Sequence, residues 1–202
     1  MSIIAKNKGN YELVPAGTFP ARCYSMIHIG TIQESFQGKI TELNKVRIAW
    51  ELPTEKKEFV PSEGEKPYSI GKEYTLSMNE KSNLRKMLES WRGKGFTVDE
   101  AASFDITVLL GKPCLLSIIH KTSKTGNEYA DISSITTLPK GMECPKQIYE
   151  SFEFSLVNFD EDKFNTLPDW LKDKIKLSKE FKHIANPGAI EINNDDDDGL
   201  PF

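Results

Sequence analysis

A mainly β domain with a helical insertion is predicted by three observations along the 202 residues. Short segments alternate apolar and polar side chains, an apolar stripe at helical spacing interrupts them, and the last sixteen residues have no apolar period at all. Taken in order, Gly17 to Gly30 alternates, with Ala21, Cys23, Ile27 and Ile29 on one side and Arg22, Tyr24, Met26 and His28 on the other. This is a strand with one buried and one functional or solvated face. Residues 30 to 44 lose the period among Gly30, Gln33, Ser35, Gln37, Gly38 and Asn44 and read as a long loop or hairpin tip. Asn44 to Leu52 alternates again, Val46, Ile48, Trp50 and Leu52 against Lys45, Arg47, Ala49 and Glu51, so Trp50 belongs to the core. Pro53 to Lys66 reads as a solvated connection. A third strand runs from Tyr68 to Met78, with Tyr74, Leu76 and Met78 on one face and Gly71 marking a bend or bulge.

The insertion follows. Asn79 is the expected N-cap of a helix in which Leu84, Leu88 and Trp91 recur at i, i+4 and i+7 and which Gly93 ends. Thr97-Val98-Asp99-Glu100 fits a capping box, because the Thr and Glu side chains can each satisfy an orphan amide of the other's turn. Helix continues, or restarts, toward Leu109-Leu110, with Gly111 as its stop. Pro113 to Lys121 and Glu128 to Thr137, joined by Thr122 to Asn127, form a hairpin of two more strands. Three strands, a helical insertion and a hairpin are the order of the OB-fold. The expected fold is therefore a five-stranded OB-fold barrel with its helical insertion between strands 3 and 4, plus a small helical C-terminal extension. Residues 1–138 form the barrel. Residues 139–186 are an extension packed on the barrel or on a subunit partner, with Pro168, Trp170, Leu171, Ile175 and Leu177 in a short amphipathic helix and Phe181 beyond. Residues 187–202 cannot bury enough apolar surface to fold alone.

Charge separates body from tail. Residues 1–150 carry 20 Lys and Arg against 18 Asp and Glu, whereas residues 187–202 carry five acids and no base. Such asymmetry suits a tail with its own interaction role. No apolar run reaches bilayer length and the first ten residues lack a signal-peptide core, so a cytoplasmic protein without membrane contact is expected. Cys23, Cys114 and Cys144 are far apart without CxxC spacing and read as reduced, mostly buried thiols, while His28, His120 and His183 give no ligand pair, and His120 reads as structural. With no GxxxxGK[ST] run and no nucleophile beside a base, neither an enzyme nor a cofactor or metal is expected.

The chain ends Asp195-Asp196-Asp197-Asp198-Gly199-Leu200-Pro201-Phe202. This resembles the C-terminal tip of bacterial and phage single-stranded DNA-binding proteins, in which an acidic run precedes an aliphatic residue, Pro and a terminal Phe. Gly199, between the acids and the Leu-Pro-Phe, departs from that pattern. The resemblance covers these eight residues, and the OB-like strand order adds a general likeness to phage-encoded members. It implies a protein that binds and protects single-stranded DNA in replication, recombination and repair, and that recruits replication and repair proteins through Asp195, Asp196, Asp197, Asp198, Leu200, Pro201 and Phe202. A homo-oligomer is compatible with it. The physical sense is that Phe202 supplies an apolar anchor, Pro201 limits the freedom lost on docking, and the aspartates steer toward basic surfaces.

Binding a flexible strand needs cations along the phosphates and flat side chains under the bases. On an OB order these come from the strands and from the loops after the first and fourth of them. The candidates are Arg22 and Tyr24 on the first strand, Phe36 and Lys39 in the first loop, Lys45 and Arg47 on the second strand, and Lys121, Lys124 and Tyr129 in the hairpin. A strand lysine more often serves a solvated face than a phosphate, and Tyr24 could pack under the helix. The other readings are a replication or recombination accessory protein that binds protein through the tail without touching DNA, and a structural phage protein. Salt-dependent binding of an oligonucleotide separates the first from both.

Overall fold

The computed structural model describes residues 12–36 and 38–187. The protein is mainly β, with the strands β1 (Gly17–Phe36), β2 (Lys39–Lys57), β3 (Lys66–Thr75), β4 (Pro113–Thr122), β5 (Glu128–Thr136) and β6 (Phe152–Phe154). These form one open sheet in the order β3-β2-β1-β4-β5, antiparallel throughout, with the short β6 added parallel to β1. The path ends at β3 and β5. Between these two edges Lys72 Nζ on β3 donates to Asp131 Oδ1 (2.8 Å) and to the Ile132 carbonyl (2.7 Å) on β5.

The first strand departs from strict alternation, which corrects the expected faces. Register slips at Tyr24 and at Ile29, each an extra residue against β2. A bulge reverses which face the following side chains occupy. Ala21, Cys23 and Met26 thus share the main core with Val46, Ile48, Trp50 and Leu52 of β2, whereas Ile27, Ile29 and Ile32 face a second cluster. Residues 30 to 44 are not a loop: β1 and β2 stay paired from Thr31↔Asn44 out to Phe36↔Lys39. Past Ile32, which still packs in the second cluster, the ribbon leaves the core, and the exposed Gln33, Ser35, Lys39, Ile40 and Glu42 keep their pairing without an apolar period. β2 likewise runs past Pro53, regaining β3 at Lys56↔Pro67 after an irregularity. Gly71 sits in regular register opposite Ala49, so it marks no bulge, and Leu76 lies beyond the end of β3 and is exposed.

The insertion contains α1 (Asn83–Arg92), α2 (Val98–Ala102) and a 3-10 turn at Ile106–Leu109. Leu84, Leu88 and Trp91 bury the expected stripe of α1 in the main core, and Gly93 ends it at φ 69°. The N-cap is Ser82, whose hydroxyl accepts from the Arg85 amide, rather than Asn79. The capping box at Thr97 and Glu100 forms with both hydrogen bonds. Cys23, Cys114 and Cys144 are free thiols, and burial pushes the Cys23 thiol up to about 12. His120 Nε2 lies 2.8 Å from the Val14 carbonyl.

Residues 139–186 lie against the outer face of β1 and β2. α3 (Glu161–Thr166), α4 (Asp169–Lys176) and α5 (Lys179–Ala185) bury Phe164, Leu167, Leu171 and Ile175 with Phe154 over the isoleucines of β1. α5 approaches the β1 bulge so closely that a Cβ at Gly30, which has φ +90°, would stand 2.7 Å from Glu180, Leu156 and Ser178. Only glycine fits there. Glu180 accepts from both the backbone amide and the hydroxyl of Thr31 at 2.7 Å. Burial works to raise the Glu180 pKa, but the two hydrogen bonds from Thr31 outweigh it and hold the carboxyl below the ordinary glutamate value. A depressed carboxyl stabilises the fold above its unfolded pKa and loses that contribution as the pH falls through its folded one. Glu180→Gln should therefore cost about 1 kcal/mol at neutral pH and flatten the acid limb of a thermal-denaturation series, with no change above neutrality beyond that offset.

Candidate nucleic-acid interface

The first bulge and the extension together build a cleft on the outer face of β1 and β2. Tyr24, extruded by the first bulge, meets Tyr149 with ring centroids 5.1 Å apart at 40°. Across the cleft the Arg47 guanidinium lies between two flat surfaces. On one side is Gly71, whose hydrogens leave space a Cβ would take at 2.6 Å, and on the other is the ring of Trp170, its centroid 5.0 Å from Arg47 Cζ. The space between these walls is about 410 Å³. Trp170, at the start of α4, is 53% exposed although it holds Arg47.

Arg47 is the electrostatic centre of this cleft. Burial draws its pKa down, against the fields of Glu73 and the Tyr24 phenol, yet a guanidinium stays charged at any physiological pH. Among the described residues none accepts a hydrogen bond from it, and Glu73, its register partner on β3, takes Lys174 Nζ at 2.5 Å instead. A half-buried cation with its planar fork unspent favours an anionic, bidentate partner.

Beyond Glu73 a wider groove of about 940 Å³ opens between the end of β3, β5 and α1, with Lys45, Lys72, Lys81 and Lys86 on its walls. Lys81 and Lys86 are exposed. Lys45 pairs with Glu34 and keeps only 13% of its side chain exposed, so it is not the open strand cation that alternation suggested. Asp131 holds both Lys72 and Lys121, the latter at 2.6 Å, and so ties the groove to the β4–β5 hairpin.

The predicted residues divide accordingly. Tyr24 and Arg47 meet in the cleft. Lys121, Lys124 and Tyr129 are exposed on the hairpin, and Lys39 is exposed beside the tip of the β1–β2 ribbon. Arg22 is a correction: its Nε, Nη1 and Nη2 donate to the carbonyls of Pro145 (2.5 Å), Gly111 (2.9 Å) and Cys144 (2.9 Å), which occupies the fork within the chain. Phe36 closes β1, but its side chain, like Asp195 to Asp198 and Leu200 to Phe202, lies outside the described residues. Two cleft residues were missed. Tyr149 sits in an irregular segment that no periodicity announces. Trp170 had a signal: Leu171 and Ile175 define the buried stripe of α4 by their i, i+4 spacing, and Trp170, a third of a turn away, falls off it.

No family model, curated protein or solved structure matches the chain. Among the described residues no group of three or more His, Cys, Asp or Glu is placed to hold a metal ion, and no helix is long and apolar enough to cross a membrane.

Proposed function

We propose that the chain binds single-stranded DNA without sequence preference along the outer face of β2 and β3, and that its acidic tip recruits replication and repair proteins. The observation that carries the reading is the unspent Arg47 fork between Trp170 and Gly71, facing the Tyr24–Tyr149 wall across a cleft. Aromatic walls serve any base, because every base has a π face, and cations serve any phosphate. The exposed Lys81 and Lys86 of the neighbouring groove and Lys124 of the β4–β5 hairpin extend a cationic path for the backbone. We read the sheet as an OB-type barrel opened at its β3–β5 seam: β1 pairs with both β2 and β4, α1 follows β3, and Lys72 spans the two edges. A cleft of this size takes an unstacked base, which a duplex withholds. Fluorescence titration with oligo-dT and with duplex at several salt concentrations tests the reading. Preference for the single strand, with an affinity falling linearly in log-log form by about 0.7 per phosphate neutralised, is the expected result; equal or absent binding of both would overturn it.

A further inference from the structure

We propose that Arg22 and Glu51 form a two-signed clamp whose role is to hold Tyr149 against Tyr24, a proposal that rests on reading the cleft as a base-stacking site. The two residues are register partners across β1 and β2, and they face the segment between β5 and β6, which has no helix or strand of its own from 138 to 151. Such a segment must find partners for its backbone elsewhere. Arg22 takes the carbonyls of Cys144 and Pro145. Glu51, which is fully buried, accepts from the consecutive amides of Ile148 and Tyr149, both at 2.7 Å. A carboxylate is costly in a buried position and persists there only where its lone pairs are satisfied; here the satisfying groups belong to the residue that forms the stacking wall and to its neighbour.

The clamp matches charge to backbone polarity along the segment, the cation on two consecutive carbonyls and the anion on the two amides four residues later. The far end of Tyr149 is held as well, its hydroxyl donating to the Pro67 carbonyl at 3.0 Å, and Gln147 Nε2 donates to the Tyr149 carbonyl at 2.6 Å. The ring is thereby fixed in position before any base arrives, which lowers the ordering cost of binding. Tyr24 is set from the other side by its bulge, two residues from Arg22. Glu51 and Arg22 touch no base or phosphate in this arrangement; they are positioning residues.

Glu51→Gln keeps the size of the side chain but turns one of the two acceptors into a donor facing an N–H. The experiment measures oligo-dT affinity and its salt slope for the full chain, Tyr149→Ala, Glu51→Gln and the double variant, with amide hydrogen exchange at Ile148 and Tyr149. Expected are slow exchange at both amides in the parent, a loss of about tenfold in affinity for each single variant, an unchanged salt slope, and a double variant no weaker than Tyr149→Ala alone, since residues acting through one contact are not additive. Losses that multiply, parental affinity in a folded Glu51→Gln, or fast exchange of the two amides in the parent would each overturn the clamp. Should Glu51→Gln lose the near-ultraviolet circular dichroism of the parent, Arg22→Lys takes its place in the cycle with the same expected loss, and additivity there overturns the proposal. If Tyr149→Ala itself binds as the parent does, the stacking reading of the cleft fails, a result distinct from failure of the clamp.

Discussion

Trp170→Ala should weaken binding of oligo-dT by about 1–3 kcal/mol, a loss of roughly 5- to 150-fold, while leaving the salt slope as it is. The ring carries no charge, so its removal withdraws a stacking surface and no counterion release. It is more than half exposed, and the buried stripe of its helix is made by Leu171 and Ile175, so the fold should survive the change. Arg47→Ala should behave differently. It removes the one fork in the cleft, and the slope of log affinity against log salt should fall by about 0.7 as one phosphate contact is lost. Arg47→Lys keeps the charge and the slope but forfeits the flat surface between Gly71 and Trp170, and should therefore resemble the Trp170 variant. Fluorescence titration of the three variants at four salt concentrations separates these signatures. If the Trp170 and Arg47 variants all bind as the parent does, the cleft is not part of the interface, and the groove bearing Lys81 and Lys86 would have to bind the strand without it.

Deleting residues 187–202 should abolish recovery of partner proteins in a pull-down while leaving DNA binding intact or slightly tighter. The segment carries five acids and no base, so at low salt it should compete with DNA for cationic surface, and that competition should fade as salt screens it. Phe202→Ala should cost recruitment as much as the deletion does, with every acid retained, because a single apolar anchor concentrates docking energy as hot-spot residues do. Recovery of the same partners by the parent, the deletion and the Phe202 variant would mean that the resemblance of the tip carries no function.

Much of the architecture was legible because burial writes a period into the sequence. Leu84, Leu88 and Trp91 announced α1 by spacing alone, the capping box at Thr97 and Glu100 is a local reciprocal pairing, and the β4–β5 hairpin follows from two apolar runs around a turn. Beyond Ile32 the ribbon of β1 and β2 carries mostly exposed side chains, so the period vanishes although the hydrogen bonds remain, and residues 30–44 therefore read as a loop. Bulges defeat the same signal for another reason. One unpaired residue at Tyr24 reverses the faces of the side chains from there to the second slip at Ile29, and no local feature distinguishes that tyrosine from its neighbours.

For the interface, residue type was informative and partnership was not. Tyr24 and Arg47 stood out as an aromatic and a cation opposite the apolar faces of the first and second predicted strands, and the acidic Leu-Pro-Phe tip stood out by composition. Which cations are spent depends on contacts between residues distant in sequence: Arg22 on carbonyls more than 80 residues away, Lys45 on Glu34 across the ribbon, Arg47 on no protein group among the described residues. The β class, the helical insertion and the charge division between body and tail follow from the order of residues alone, since these rest on local periodicity and composition. That Tyr149 and Trp170 join Tyr24 and Arg47 around one cleft emerges from the folded chain and not before, because the meeting requires the extension to fold back across β1 and β2, and long-range closure leaves no local period to read.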